Sequence, residues 1–175
     1  MVTVFRKILF ATDLTENSRY AFSFAASIAS YCNGKITILH VMEKNPINVE
    51  YDLAAFLGDE KWQELKKNQE SKAKNILIGK KKDDEMIRKA LVLFCSSAST
   101  VLDRSSFSMD DILIKSGKIV EKIVGTAKEK QCDLIVIGSH KGFLGSASIG
   151  SVAKGVLQKA GIPVLIAPPS PSEAS

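Results

Sequence analysis

The sequence is poor in the residues that build covalent and metal-bound sites. It holds three cysteines, two histidines and one tryptophan among 175 residues. Cys32, Cys95 and Cys132 are odd in number and widely spaced, which excludes a disulfide framework and a C-x-x-C metal or redox motif. We therefore expect three reduced, buried thiols and no metal site.

Long apolar runs and targeting segments are also lacking. No run approaches the ~18 residues that a membrane span needs. Residues 1–10 enter a strand-like pattern without the apolar core and cleavage site of a signal peptide. With 45% hydrophobic and 25% charged residues, the composition is typical of one globular domain. We expect a cytoplasmic protein with no membrane span.

The familiar nucleotide and catalytic motifs are absent as well. Residues 13–18 (DLTENS), which follow the first apolar run, contain no glycine, so the dinucleotide motif G-x-G-x-x-G is missing there. No segment supplies the P-loop G-x-x-x-x-G-K-[ST] or the hydrolase motif G-x-S-x-G. His40 falls inside an apolar strand, which favours a hydrogen-bonded structural role over a catalytic base, and His140 is tied to no nucleophile motif. The sequence thus predicts no enzyme.

The net charge of +5 is confined to one segment. Residues 61–90 contain ten Lys and Arg against five acids, whereas the rest of the chain is balanced. The basic residues are interleaved with acids and not with aromatic side chains, which favours a solvated helix face over a nucleic-acid surface or an acidic-membrane patch. We expect no specific nucleic-acid partner.

Short β-prone runs alternate with segments of helical period. Residues 7–12 (KILFAT) predict a first strand and residues 35–42 (KITILHVM) a second. Thr15 is a candidate N-cap of the helix between them, and Gly34 is a candidate stop. The apolar face of this helix is formed by Ala21, Phe24, Ala25, Ile28 and Cys32.

The middle of the chain is harder to divide. Residues 43–58 include Asn45-Pro46 and Gly58 and predict a loop. Helical patterning runs from about residue 59 to about residue 102, as one helix or as two that are broken near residues 79–84. This part is longer than one helix needs, so it is either a partner surface or an ordinary capping helix.

The second half returns to regular alternation. The predicted elements are a strand at 111–115, a helix at 118–130, a strand at 133–137, a helix at 150–159 and a strand at 162–167. We predict an α/β fold with an open, doubly wound, five-stranded parallel sheet and helices on both faces, as a single domain. The domain spans residues 1–168, and the Pro/Ser-rich residues 169–175 are expected to be a disordered tail.

Ligands of such sheets bind at the carboxyl ends of the strands, where the strand order reverses. Asp13 follows the first strand, and the glycine-rich segment 138–151 (GSHKGFLGSASIGS) leaves the fourth. Gly150-Ser151 at a helix start adds free N–H groups that favour a phosphate. A plain connecting loop is the alternative, since glycine-serine loops are common. Asp13 alternatively begins a turn before the helix.

Together these segments resemble the universal stress protein family over nearly the whole chain. The resemblance is carried by residues 7–18 (KILFATDLTENS), 35–41 (KITILHV), 117–123 (GKIVEKI), 133–140 (DLIVIGSH), 150–152 (GSV) and 162–165 (IPVL). It implies a five-stranded parallel α/β sheet similar to that of the adenine nucleotide alpha hydrolases, dimers formed through the last strand, and no general catalytic activity.

Some members of this family bind ATP, and the resemblance implies an adenine-nucleotide site here. It places Asp13 at the adenine end, the backbone of Val41 against the base, and Gly138 at the start of the phosphate loop. The implied site residues are Ala11, Thr12, Asp13, Val41, Gly138, Lys141, Gly142, Gly150, Ser151 and Val152. The implied ligand is ATP, or alternatively ADP or AMP, with or without Mg2+.

The phosphate loop departs from the family motif G-x2-G-x9-G-[ST]. Lys141 occupies the second glycine position, and only residues 142–149 separate it from Gly150. With Gly142 as the second glycine, the spacing becomes G-x3-G-x7-G-S. The loop is one residue short either way. Lys141 is then either a point charge for phosphate or an exposed loop lysine.

Two functions therefore stay open at the sequence level. One is a stress-response regulatory protein that binds an adenine nucleotide and acts as a dimer on an unknown protein partner. The other is a dimeric interaction protein of the same family that binds no nucleotide. An ATPase or phosphotransferase using Ser148 or Ser151 ranks last, because a general base and a second metal carboxylate are lacking. We expect a homodimer through Ile162 to Ala167, whose apolar edge would otherwise invite uncontrolled pairing.

Overall fold

The computed structural model describes residues 4–42, 49–70, 80–101, 108–139 and 149–170. Within them, a single five-stranded sheet has the strand order β3-β2-β1-β4-β5, and every pair of neighbours is parallel. The strands are β1 (Lys7–Thr12), β2 (Lys35–Met42), β3 (Ser108–Ser116), β4 (Leu134–Gly138) and β5 (Val164–Ala167). The predicted fold class is confirmed. The order reverses between β1 and β4, which are direct neighbours.

Helices cover both faces of the sheet. They are α1 (Glu16–Cys32), α2 (Val49–Leu57), α3 (Asp59–Glu70), α4 (Lys80–Val101), α5 (Ile119–Glu129) and α6 (Ser151–Lys159). One core cluster joins β1, β2 and β4 to α1, α2, α3 and α4 around Phe10, Phe22 and Phe56. The other lies under α5 and α6 around Leu9, Ile135 and Val156. The strands in the middle of the sheet are thus buried on both sides, as parallel strands require.

The first β-α-β unit follows the sequence closely. Both strands have the predicted bounds, and Thr15 caps α1 by accepting the Ser18 N–H at 3.2 Å. The helix stop differs from the prediction, because Asn33 and not Gly34 adopts the left-handed conformation, with φ at 51°. Gly34 is needed for another reason: a Cβ there would lie 2.8 Å from the Phe5 carbonyl oxygen.

The middle of the chain corrects the sequence reading. The loop predicted for residues 43–58 is wrong from Val49 onward, where α2 begins. Leu53, Phe56 and Leu57 are buried there at helical spacing, and this burial outweighs the breaker signals that flank them. Residues 59–101 contain two helices, α3 and α4. The strand predicted for 111–115 starts earlier, at Ser108.

At the amino ends of the strands, polar groups are bound to one another. The Asp133 carboxylate accepts the N–H of Arg6 at 2.8 Å and the N–H of Lys7 at 3.1 Å. The Lys130 ammonium lies 3.0 Å from Asp111, and this contact lowers the pKa of the Asp111 carboxyl. A polar cleft of about 600 Å³ opens here, bounded by residues that include Lys35, Thr37 and Cys132.

The chain beyond β5 is held against the domain. Ser170 is only 4% exposed, and its N–H donates to Asn17 Oδ1 at 2.6 Å. Pro169 and Ser170 begin the segment 169–175 that is expected to be disordered; residues 171–175 lie outside the described residues, so that expectation stays a prediction. In the part of the chain that the structure describes, no helix is long and apolar enough to cross a membrane.

Candidate functional site

A crevice of about 380 Å³ opens at the carboxyl ends of β1 and β4, the point where the strand order reverses. Its volume falls within the range of small-molecule sites. It is lined by Ala11, Thr12, Asp13, Thr15, Asn17, Ser18, Ile119, Ile123, Ile137, Gly138, Ser139, Gly150, Ser151, Val152 and Ala153. The walls thus come from two strand ends and from the amino-terminal turns of α1, α5 and α6.

The turn between β1 and α1 is built by its own hydroxyl groups. Thr12 Oγ1 accepts the Leu14 N–H at 3.0 Å and lies 2.7 Å from Ser18 Oγ. Leu14 adopts a positive φ of 64°, a conformation that a leucine rarely takes, and its side chain is buried. The bonds of the buried Thr12 therefore hold a strained turn in place at the floor of the crevice.

Asp13 projects from this turn and is exposed. Its Oδ1 accepts both the N–H of Thr15, at 3.1 Å, and the hydroxyl of Thr15, at 2.7 Å. The predicted turn role is therefore real, and the same carboxylate lines the crevice. A carboxylate has acceptor capacity for several donors, so a ligand hydroxyl or amine is a chemically suitable partner for Asp13.

The opposite side of the crevice is the first turn of α6. Gly150 is the N-cap residue and offers no side chain, so the first N–H groups of the helix have no side-chain cap there. Ser151 is exposed, and Val152 and Ala153 also line the crevice. A helix N-terminus presents unpaired N–H donors and the positive end of the helix dipole, a combination that favours an anion.

Between the polar sides lies an apolar wall. Ile119 and Ile123 of α5 and Ile137 of β4 provide it. Ile123 and Ile137 are 2% and 4% exposed, so they are part of the core as well as of the crevice. A flat apolar ring packs against such a wall, while a sugar or phosphate needs the polar ends.

Asn17, in the first turn of α1, joins the elements around the crevice. It is 2% exposed, and its Nδ2 donates to the Ser139 carbonyl at 2.9 Å. Gly138 passes directly over this turn, since a Cβ on it would lie 3.4 Å from the Asn17 carbonyl oxygen. Ser139 Oγ is buried and, among the described residues, has no hydrogen-bond partner.

Seven of the ten predicted site residues line this crevice: Ala11, Thr12, Asp13, Gly138, Gly150, Ser151 and Val152. Val41 does not. It ends up 9% exposed in the core beside Leu39, at the carboxyl end of β2 but away from the lining. Lys141 and Gly142 lie outside the described residues, so their roles stay predictions.

Sequence reasoning missed Asn17, Ser18 and Ser139. In the sequence, Asn17 and Ser18 look like ordinary polar positions in the first turn of a helix. Only the packing of that turn against the end of β4 buries them. The available signal was their place just after the Thr15 cap, since the first turn of a helix at a switch point faces the ligand side.

His40 has the structural role that its position indicated. Its Nδ1 donates to the Thr12 carbonyl at 2.9 Å. Burial lowers the pKa of His40 below its usual value, although the Thr12 carbonyl and the charges of Asp13 and Asp52 act in the opposite direction. The ring therefore stays neutral near pH 7 and supports the back of the Thr12 turn.

The thiols differ in accessibility. Burial raises the pKa of Cys95 to about 12 and that of Cys132 to about 11, whereas Cys32 is half-buried. No disulfide joins any two of these three described residues. In the described ranges, no group of three or more His, Cys, Asp and Glu side chains is arranged to hold a metal ion.

The fold and the crevice define an open α/β domain with a ligand-sized site at its switch point. Comparisons with known proteins identify the family to which this domain belongs. Residues 5–168 match the model of the universal stress protein family. Universal stress protein MJ0577 of Methanocaldococcus jannaschii is 27% identical over 168 residues, which covers 95% of this chain and 96% of the relative. The chain belongs to the universal stress protein family.

Two solved structures of similar fold are described as nucleotide complexes. One is a universal stress protein in complex with cAMP, with a TM-score of 0.57 and 19% identity, covering 96% of this chain and 100% of that one. The other is the Archaeoglobus fulgidus universal stress protein in complex with dAMP, with a TM-score of 0.51 and 19% identity, covering 94% of this chain and 98% of that one. At these identities the likeness shows the shared fold.

Proposed function

We propose that this protein is a regulatory universal stress protein that binds an adenine nucleotide, ATP or alternatively ADP or AMP, in the crevice between β1 and β4. The observation that carries the proposal is the convergence of the β1 turn and the α6 N-terminus on one apolar wall. The two relatives of similar fold that are described with adenine nucleotides support the same ligand class.

Each part of a nucleotide has a fitting group in this chain. Phosphate oxygens accept from the N–H groups of the α6 first turn and from Ser151. The Asp13 carboxylate accepts from a ribose hydroxyl or an exocyclic amine, and the isoleucines of the wall pack against the ring. Mg2+ would be held mainly by the phosphates. No catalytic step is part of the proposal.

The first test measures nucleotide binding in two ways. Nucleotide released by denaturing freshly purified protein is identified by ion-exchange chromatography, and the stripped protein is titrated with ATP and Mg2+ in a calorimeter. We expect bound adenine nucleotide or micromolar affinity. An empty protein with no measurable heat would contradict the proposal.

A matched pair of variants localises the binding. Asp13→Asn keeps the Oδ1 acceptor that holds Thr15 but loses the negative charge, so we expect affinity to fall about tenfold, or about 1.4 kcal/mol. Asp110→Asn makes the same change at the amino end of β3, where the carboxylate accepts the Thr37 hydroxyl, and should leave affinity unchanged. Equal affinities of the two variants would move the site away from Asp13.

The second candidate is a family member that binds no nucleotide. The sequence favours it at one point, because the loop between Gly138 and Gly150 is one residue shorter than the family motif under either alignment. A missing residue displaces the donors that follow it. The titration that tests the first proposal decides between the two, and Lys141→Ala then reports whether that lysine compensates as a point charge.

We also propose a homodimer through β5, the edge strand of the sheet. The Pro163 carbonyl accepts the N–H of Ile135 in β4 at 3.0 Å, and the Ala167 carbonyl accepts the N–H of Ser139, just after β4, at 2.9 Å. Because backbone groups alternate along a strand, the N–H of Val164 points to the free edge. Val164→Pro removes that donor without removing a bond to β4 and should give monomers on a sizing column. Dimers that persist, with an unchanged unfolding transition, would place the interface elsewhere.

A further inference from the structure

Asn17 is a buried side chain whose two polar atoms serve different segments. Nδ2 donates to the Ser139 carbonyl at 2.9 Å, and Oδ1 accepts the Ser170 N–H at 2.6 Å. The side chain is 2% exposed, so both bonds are shielded from water in this arrangement. Buried polar groups are costly when unpaired, so the loss of either bond carries a free-energy penalty.

Ser139 and Ser170, the two partners of Asn17, belong to different parts of the molecule. Ser139 lines the crevice at the end of β4, and its N–H donates to the Ala167 carbonyl at 2.9 Å. Ser170 follows β5, the edge strand, by three residues and does not line the crevice. Asn17 itself lines the crevice. A single side chain thus connects the ligand-sized cavity to the chain that leaves the sheet edge.

We propose that Asn17 couples occupancy of the crevice to the docking of Pro168–Ser170 beside the edge strand, an inference that rests on the proposed nucleotide binding. A ligand that packs against Asn17 and Ser139 fixes the position of both. Oδ1 is then held where it accepts the Ser170 N–H, and the segment after β5 stays docked. Loss of the ligand lets the first turn of α1 relax and weakens that contact.

Coupling of this kind is reciprocal. If the ligand favours the docked segment by a given factor, the docked segment favours the ligand by the same factor. The coupling can therefore be tested in two ways, by the effect of the ligand on the segment after β5 and by the effect of that segment on ligand affinity. It also gives the proposed dimer a route to sense the ligand, because the docked segment continues directly from β5.

Hydrogen exchange measures the effect of the ligand on the segment after β5. Residues 168, 169 and 171 are prolines without an N–H, so the Ser170 amide is an isolated reporter in this segment. Its exchange rate is measured by NMR in the unaltered protein with and without saturating ATP and Mg2+. We expect ATP to slow Ser170 exchange about fivefold. Exchange that is indifferent to bound ATP would overturn the coupling while leaving nucleotide binding intact.

The ATP affinity of Ser170 variants measures the effect of this segment on the ligand. Ser170→Pro and Ser170→Ala both remove the hydroxyl, but only the proline removes the N–H that Asn17 accepts. We expect Ser170→Pro to bind ATP about fivefold more weakly than Ser170→Ala, the same factor that the exchange experiment gives. Equal affinities would overturn the inference. An unaltered chain that binds no nucleotide would overturn both this inference and the proposed function, and the titration of that chain identifies this case.

A third variant addresses the crevice side of Asn17. Asn17→Asp keeps an acceptor for the Ser170 N–H but replaces the donor to the Ser139 carbonyl with a second oxygen. If Asn17 is the connection, Ser170 exchange in this variant no longer responds to ATP. A response of the same size as in the unaltered protein would mean that the coupling bypasses this side chain, and the assignment to Asn17 would be wrong.

Discussion

The two ends of the parallel sheet are both polar, yet their polar groups are used differently. At the amino ends, the Asp133 carboxylate binds the N–H groups of Arg6 and Lys7, and Lys130 pairs with Asp111. At the carboxyl ends, the α6 helix starts without a side-chain cap, and the Ser139 hydroxyl is buried with no partner in the described ranges.

This difference teaches that polarity alone does not define a binding site. The amino-end cleft, at about 600 Å³, is larger than the crevice of about 380 Å³, but its Thr37 hydroxyl already donates to Asp110 and its Lys130 ammonium to Asp111. Among the described residues, the Ser139 hydroxyl and the first turn of α6 retain hydrogen-bonding capacity at the crevice. Unused capacity beside an apolar wall is what a ligand needs.

Among the variants that test this difference between the two ends of the sheet, we expect the largest effect on stability at the amino end. Asp133→Ala removes the acceptor of two backbone N–H groups and should lower the free energy of unfolding by about 2 kcal/mol. Asp133→Asn keeps one acceptor oxygen and should have a smaller effect. Urea unfolding monitored by circular dichroism measures both, and ATP affinity should not change in either.

The control for this experiment is Glu121→Ala. Glu121 forms an exposed pair with Lys118 at 3.2 Å and binds no backbone N–H. We expect no measurable change in its unfolding midpoint. If Asp133→Ala were as stable as this control, the amino-end bonds would not contribute to the fold as described.

A second, smaller effect should appear as a pH dependence at the carboxyl end. The pKa of His40 is lowered by burial, so below its usual value of 6.5 the unfolded chain binds more protons than the folded one. Stability is therefore fully present above about pH 6.5 and falls as the pH drops from there toward the lowered value. His40→Gln keeps a donor for Thr12 but does not titrate.

Unfolding midpoints at pH 7.5 and 5.5 test this expectation. The difference between the two should be smaller in His40→Gln than in the unaltered protein. An identical difference in both would show that His40 does not contribute to the acid sensitivity, and that the Thr12 turn is supported independently of the ring's charge.

The smallest effect that we expect concerns the unpaired hydroxyl of the crevice. Ser139→Ala removes an oxygen without a described partner and should leave the free energy of unfolding unchanged to within about 0.5 kcal/mol. Thr12→Val removes an equally buried hydroxyl that bonds Leu14 and Ser18, and should cost about 1–2 kcal/mol. Calorimetric unfolding compares them. Equal losses would mean that the Ser139 hydroxyl is in fact bonded.

Much of the fold could be read from the sequence because its signals are local. β1 and β2 are short apolar runs with clear ends, and Thr15 is a strong cap. The helix at residues 49–57 was predicted as a loop because Asn45-Pro46 and Gly58 mark turns on both sides. The burial of Leu53 and Phe56, which favours the helix, is decided by tertiary packing. Asp110 hid the start of β3 at Ser108, since charged residues are uncommon in strands but suit an edge.

The site could be predicted only in part for the same reason. Asp13 and Gly150-Ser151 stand beside strand and helix ends that the pattern reveals. Asn17 acquires its role only when the first turn of α1 packs against Gly138, a contact between positions far apart in the sequence. Val41 stays a prediction, since the family resemblance assigns its backbone to the base and the burial of its side chain in the core leaves that backbone role untested.

The bond between Ser170 and Asn17 joins positions 153 apart in the chain, so its two partners are synthesised at different times. β1 is synthesised first and lies at the centre of the sheet, and β5 is synthesised last and lies at the edge. At ribosomal rates, about 8 to 30 s pass between the two residues. During that interval the Ser170 N–H is not yet available to Asn17, so the crevice is among the last parts of this domain to be completed.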